Sequence, residues 1–139
     1  LRIAEEAGVG DRVGAIRADA QSLPFRDNYA DVAVSRGSFQ FWENKPKAFA
    51  EIYRVLKPGG AAFIGRGFPR GLDPAVASAI RAKQNRGDSF PKYDPEETEK
   101  RLRGILEEAG IKSFRIERPV HPDAPEINYG IWVTFRKPM

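Results

Sequence analysis

The stretch RVLKPGGAAFIG, residues 54–65, joins a helical pattern to a run of small and apolar residues. Upstream of it Phe49, Ile52, Tyr53 and Leu56 fall at i, i+3, i+4 and i+7, which sets them on one face of a helix. Pro46 suits the first helical position, where its fixed φ fits and its missing N–H would have no partner anyway. Lys57 lies near the negative end of the helix dipole, Pro58 blocks continuation, and Gly59 and Gly60 permit a turn at positive φ. The spacing predicts a helix lying on a sheet, a sharp turn at Gly59–Gly60, and a buried strand over residues 61–65.

The flanking segments extend this pattern. DVAVS, residues 31–35, has too little polar alternation for a half-exposed strand and reads as one buried on both faces. Residues 36–44 form a loop carrying Phe39, Phe41 and Trp42. Before it, a short strand over Val13–Ala18 leads into a loop with Pro24 and the turn pair Asp27-Asn28. Residues 66–93 are irregular, with one helix from Pro74 to about Gln84. A firmer helix opens at Asp94, with Pro95 at N1 and Glu97 at N3, an aspartate form of the capping box. Leu102, Ile105, Leu106 and Ala109 face the core, and Gly110 ends the helix. IKSFRIERP and NYGIWVTFRKP follow as two strands joined by a loop, which suggests a closing antiparallel hairpin. Strands alternating with helices imply an α/β domain with a mostly parallel sheet.

Composition bounds the function. One domain of 139 residues has no apolar run near the ~20 residues that span a bilayer. The absence of cysteine excludes disulfides and thiolate metal sites and fits a reducing, cytoplasmic setting. The single histidine, His121, excludes a multi-histidine metal site, and in its Pro-rich loop it reads as a surface residue before a general base. The net charge of +4 comes from residues spread along the chain, without the stripe or cluster that nucleic-acid binding leaves. The chain starts at Leu1 inside what reads as the end of a helix, with Ile3, Ala4 and Ala7 on one face and Gly8 as C-cap. It is therefore expected to be the later part of a longer protein.

RADAQSLPFRDNYADVAVSRGSFQFW followed by AFAEIYRVLKPGGAAFIG resembles the class I S-adenosylmethionine-dependent methyltransferases that act on small molecules. In that family Asp-Ala-x-x-Leu-Pro-Phe follows the third strand, Asp-x-Val opens the fourth, and Leu-Lys/Arg-Pro-Gly-Gly precedes the fifth. The resemblance implies a Rossmann-like sheet of strand order 3-2-1-4-5-7-6, with S-adenosyl-L-methionine held at the carboxyl ends of the strands. It assigns the Asp19 carboxylate to the adenine amine and the Ala20 backbone N–H to a ring nitrogen. Ser35, Arg36 and Gly37 would lie beside the methionine part of the cofactor. Phe39 and Trp42 would wall the pocket of a small-molecule methyl acceptor, with core packing as the other reading. Arg36 is left open between the cofactor carboxylate, an anionic substrate and solvent. Asp31 reads as structural, and Gly65-Arg66-Gly67 as the end of a strand.

The family's acidic-Gly-x-Gly-x-Gly turn is absent from these residues, as are its first two strands. Without them the strand over 13–18 loses its native neighbour and the 31–35 strand presents a bare edge. Two outcomes are expected: direct pairing of those two strands, or a homodimer or strand-swapped assembly. Segment 66–93 is expected to be a substrate-side insert. The rival readings are a non-catalytic fragment or interaction module with the same fold, and a nucleic-acid methyltransferase using Arg66, Arg70, Arg81, Lys83 and Arg86.

Overall fold

The computed structural model describes residues 1–69, 71–83 and 94–139. Four helices, α1 (Arg2–Glu6), α2 (Lys45–Val55), α3 (Pro74–Lys83) and α4 (Pro95–Glu108), accompany four strands. The strands are β1 (Ala30–Arg36), β2 (Leu56–Gly67), β3 (Phe114–Glu117) and β4 (Gly130–Arg136). They form one sheet in the order β1-β2-β4-β3, with β1 and β2 parallel and the other two pairings antiparallel. This is the 4-5-7-6 portion of the expected order, closed by the expected antiparallel hairpin. The parallel share is smaller than expected because residues 13–18 form no strand. Val13 and Ile16 are exposed there, and among the described residues no neighbouring strand offers them a ladder. The direct pairing expected between this segment and β1 does not occur.

α2 buries Phe49 and Ile52, and Leu56 just beyond it is fully buried, so the face read from periodicity is the core face. The Asn44 side chain caps α2 by accepting from Lys47 N at 2.9 Å. The junction with β2 differs from expectation. Leu56 is already extended and β2 starts there, so Lys-Pro-Gly-Gly lies inside the strand. The register steps from Ala30↔Leu56 to Val32↔Ala61, which makes residues 57–60 a bulge. Gly59 takes the positive φ, 78°, that the bulge needs, while Gly60 lets the backbones of Ala30, Asp31 and Lys57 come close.

α4 begins as expected, with the Asp94 side chain accepting from Glu97 N at 2.8 Å. It lays Leu102 and Leu106 into a core shared with Phe49, Ile64, Ile111, Ile131, Val133 and Phe135. A smaller cluster joins Phe68, Ala77 and Tyr129 beneath α3. The helix expected from Pro74 matches α3, except that Gln84 lies outside the described residues.

One expectation about β1 fails. Ala33 packs against the core, but Val32 and Val34 are 56% and 70% exposed. Phe63 of β2 is exposed beside them in register, paired with Val34. Among the described residues nothing covers this face of the sheet, so β1 is buried on one side only. No helix among the described residues is long and apolar enough to cross a membrane.

Candidate cofactor and substrate site

The loop that carries Asp19 runs down α2 from its N-terminal end. At the top, the Asp19 carboxylate accepts from Gln21 N at 2.9 Å and Gln21 Nε2 at 3.2 Å. The other end of the Gln21 amide accepts from Asn44 N, the cap of α2, at 2.9 Å. Lower down, Leu23 N donates to Glu51 Oε2 at 2.9 Å. At the bottom, Asn28 N and Tyr29 N donate to the carbonyls of Arg54 and Val55. At about 1.5 Å of rise per residue, Asn44 and Arg54 lie about 15 Å apart along the helix. Asp19 is therefore held at the end where the loop from the tip of β1 enters α2, and Ser35 lies at that same end.

That tip is closed by short backbone contacts. Gly37 N donates to Gly65 O at 2.7 Å, tying β1 to β2 beyond their last shared rungs. Gly37 has φ 80°, which turns the chain away from the sheet. The Ser35 and Ser38 hydroxyls are hydrogen-bonded to each other, and Arg36 Nε donates to Gly67 O at 3.1 Å. Phe39 is buried at 4% exposure, and Trp42 meets Phe49 edge-on at 5.5 Å. Of the three loop aromatics Phe41 alone is exposed. Asp31 lies at the opposite end of β1 and pairs with Lys57 Nζ at 2.8 Å. His121 is half-buried against the Tyr129 ring at 6.0 Å, and its Nδ1 accepts from Asp123 N. Of the basic residues read as a nucleic-acid contact, Arg81 stacks 4.6 Å over Phe68 and donates to Asn128 O. Arg70 and Arg86 lie outside the described residues.

The Asp19 carboxyl is held below its ordinary value, first by the Gln21 backbone N–H and then by the Gln21 side chain. It is thus an ionised, exposed acceptor near neutral pH. Ala20 N–H has no hydrogen-bond partner among the described residues. A carboxylate acceptor next to a free backbone donor matches the edge of an adenine, which presents an amine beside a ring acceptor. The residues present therefore fit the adenosyl end of S-adenosylmethionine.

Sequence reasoning passed over the residues that set this loop in place. Arg54 donates to Glu51 (2.7 and 2.8 Å), Asp27 (2.7 Å), Phe25 O (2.8 Å) and Leu23 O (3.1 Å). One guanidinium thus ties three loop positions to α2. The signal was present as Glu51 and Arg54 at i, i+3 on the polar side of α2, but their common target is 27 to 31 residues upstream. Arg54→Met should lower the denaturant midpoint, because the charged hydrogen bonds that tie three loop positions to α2 are lost. The Glu51 carboxyl is lowered from its ordinary 4.5, chiefly by the Arg54 hydrogen bond. A carboxyl lowered by folding stabilises fully above that ordinary value, and its contribution fades as pH falls through the lowered folded value. Arg54→Met should flatten this acid dependence; an unchanged acid limb would mean that the clamp contributes nothing.

The geometry meets its counterparts among known proteins. A strand order of this kind, with its loops gathered at the carboxyl ends, is a Rossmann-like α/β fold. The profile of the methyltransferase domain family matches residues 1–64. Malonyl-[acyl-carrier protein] O-methyltransferase of Geobacter sulfurreducens is 33% identical over 116 residues, 78% of this chain and 42% of that protein. The chloroplastic 2-methyl-6-phytyl-1,4-hydroquinone methyltransferase of Spinacia oleracea is 47% identical over 55 residues, 39% of this chain and 16% of that protein. A crystal structure from Methanococcus maripaludis, taken for an S-adenosyl-L-methionine-dependent methyltransferase, superposes with a TM-score of 0.78 at 33% identity. That superposition covers 99% of this chain and 60% of the other. The chain carries the sequence and the fold of the class I S-adenosylmethionine-dependent methyltransferases, and S-adenosylmethionine is the cofactor of that class. It spans less than half the length of the two curated relatives.

Proposed function

We propose that this chain supplies part of a site that transfers a methyl group from S-adenosylmethionine to a small molecule. The observation that carries this reading is the meeting of Asp19, Ala20 and the Ser35–Gly37 tip at one end of the sheet through Gln21 and Asn44. When bound, S-adenosylmethionine supplies a methyl group activated by its positive sulfur. The part played by the chain is binding and alignment, which account for much of the barrier lowering in such displacements. Asp19 and Ala20 hold the adenine edge, and Ser35, Arg36 and Gly37 line the opposite part of the cofactor. Phe39 and Trp42 back the acceptor side, and no side chain is assigned as a general base. The names of the two curated relatives carry different acceptors, a malonyl group on a carrier protein and a hydroquinone. The acceptor of this chain therefore has to be read from its own residues.

Asp19→Ala should weaken S-adenosylhomocysteine binding about tenfold in calorimetry, the order of loss expected when one hydrogen bond to a charged group disappears. Equal affinity of variant and parent would remove Asp19 from the site. A second reading is favoured by the exposed Val32, Val34 and Phe63 face: an interaction module that keeps the fold and closes this face with a second copy. Sedimentation showing a dimer, together with no measurable binding of S-adenosylhomocysteine, would favour that reading over the first.

A further inference from the structure

The neighbours of the half-buried Gln21 leave its side chain one orientation. Asn44 N is a backbone donor and donates to Gln21 Oε1 at 2.9 Å. The ionised Asp19 carboxylate only accepts. The amide oxygen therefore faces Asn44 and the amide nitrogen faces Asp19, where Nε2 donates to Oδ1 at 3.2 Å and reaches Oδ2 at 3.3 Å. A carboxylate at this position could accept from Asn44 but not donate to Asp19. An ammonium could donate to Asp19 but would set a second donor against Asn44 N. The far end of this link is firm. Asn44 is the N-cap of α2, its Oδ1 accepting from Lys47 N at 2.9 Å, and α2 is held in the core by Phe49 and Ile52.

The two oxygens of Asp19 are used unequally. Oδ1 takes Gln21 N at 2.9 Å as well as Nε2. Among the described residues Oδ2 has the longer Nε2 contact and nothing else. Oδ2 is thus the oxygen left for an outside donor, and Asp19 is exposed, so a ligand can reach it. Lys47, exposed on the first turn of α2, is the charged group whose field acts on Asp19 among the described residues.

We propose that Gln21 is a positioning residue of the cofactor site, clamping Asp19 to the N-cap of α2 so that Oδ2 meets an exocyclic amine and the site selects adenine over hypoxanthine. The ligand part rests on the reading of Asp19 as the adenine partner; the clamp rests on the hydrogen bonds alone. Hypoxanthine carries a carbonyl oxygen where adenine carries its amine, and a carboxylate facing a carbonyl sets two acceptors together with no proton between them.

Two variants separate the tie to Asn44 from the tie to Asp19. Gln21→Glu keeps an acceptor for Asn44 N but turns a carboxyl toward Asp19, and Gln21→Met gives up both contacts. The first measurement follows the Asp19 carboxyl carbon by nuclear magnetic resonance as pH is varied, with no ligand present. In the parent this carboxyl is held below its ordinary value of 3.8 by the Gln21 donors. In Gln21→Met it should move up part of the way, because the backbone N–H of position 21 still donates. In Gln21→Glu it should move up further, because two carboxyls in contact share a proton. Ser22→Ala, in the same turn and with a side chain that makes no hydrogen bond among the described residues, should leave it in place.

The second measurement is calorimetry with S-adenosylhomocysteine and with its hypoxanthine analogue, S-inosylhomocysteine. Near neutral pH, Gln21→Met should bind S-adenosylhomocysteine about fivefold more weakly, the order of one neutral hydrogen bond. The parent should favour S-adenosylhomocysteine over the analogue by about tenfold or more, and both variants should narrow that ratio. Gln21→Glu should approach parent affinity at mildly acidic pH, where the pair of carboxyls keeps one proton, and lose it as pH rises; the parent should stay flat over the same range. An Asp19 titration that is the same in the parent and in both variants, in chains whose spectra show them folded, overturns the proposal. A Gln21→Glu profile as flat as that of the parent overturns it too. If the parent binds no S-adenosylhomocysteine while the Asp19 titration follows the expected order, the clamp stands and the adenine reading of Asp19 falls.

Discussion

Gly130→Ala should destabilise the chain by more than about 4 kcal/mol, beyond the reach of most single substitutions and enough to abolish folding of a marginal domain. Gly130 stands opposite Gly67 in the antiparallel β2·β4 ladder, and both take positive φ, 102° and 123°. A Cβ on Gly130 would run into the carbonyl oxygen of Arg66 and come within 2.7 Å of the Gly67 Cα. Both obstacles are backbone, so no rotamer change relieves them, and the φ itself is strained for any residue with a side chain. The same crossing holds the tip of β1, because Gly67 O also accepts from Arg36. Gly104→Ala is the matching control. That glycine lies inside α4 with nothing within 4 Å of a built Cβ, and alanine there should add up to about 1 kcal/mol of stability. Chemical denaturation of both variants decides the matter; a Gly130→Ala chain within about 1 kcal/mol of the parent would show that the two strands can separate without cost.

Phe49→Ala should cost about 3–5 kcal/mol, the range for removing a large aromatic from a closed core. Phe49 is fully buried and lies between Trp42 at 5.5 Å and Phe135 at 6.3 Å. It therefore couples the loop after β1 to the central antiparallel pair. Phe49→Leu keeps most of the volume and should lose much less, with a near-ultraviolet circular dichroism band from Trp42 retained. A Phe49→Ala chain that keeps both that band and its denaturation midpoint would mean that Trp42 is held by something other than this contact.

Local chemistry was legible where one stretch of chain decides its own conformation. The Asp94 cap accepts from the N–H three residues on, and the Phe49–Ile52–Leu56 stripe is a face by helical period alone. The closing hairpin was legible because β3 and β4 are adjacent in sequence. The Lys-Pro-Gly-Gly turn was read half correctly. Positive φ at Gly59 is local, but whether the segment leaves the strand or bulges within it depends on the β1 register and on Lys137, which pairs with Gly59 and Gly60 from the far end of the chain.

The site divides in the same way. The order of Asp19, Ala20 and Ser35–Gly37 along the chain was enough to nominate them, since those residue types follow strand ends in the family they resemble. Their arrangement was not, because the hydrogen bonds that fix it cross 23 to 31 residues.

By itself the sequence determined the helices and the Asp94 cap, the two strands of the hairpin and the residues to watch, because these rest on near neighbours. Only the tertiary structure decided that residues 13–18 stay outside the sheet, that Val32 and Val34 face solvent, and that Gln40 and Lys45 share a cavity with Arg101. Pairing, coverage and cavities depend on partners distant in sequence, and a strand-like pattern becomes a strand only where a neighbour accepts its hydrogen bonds.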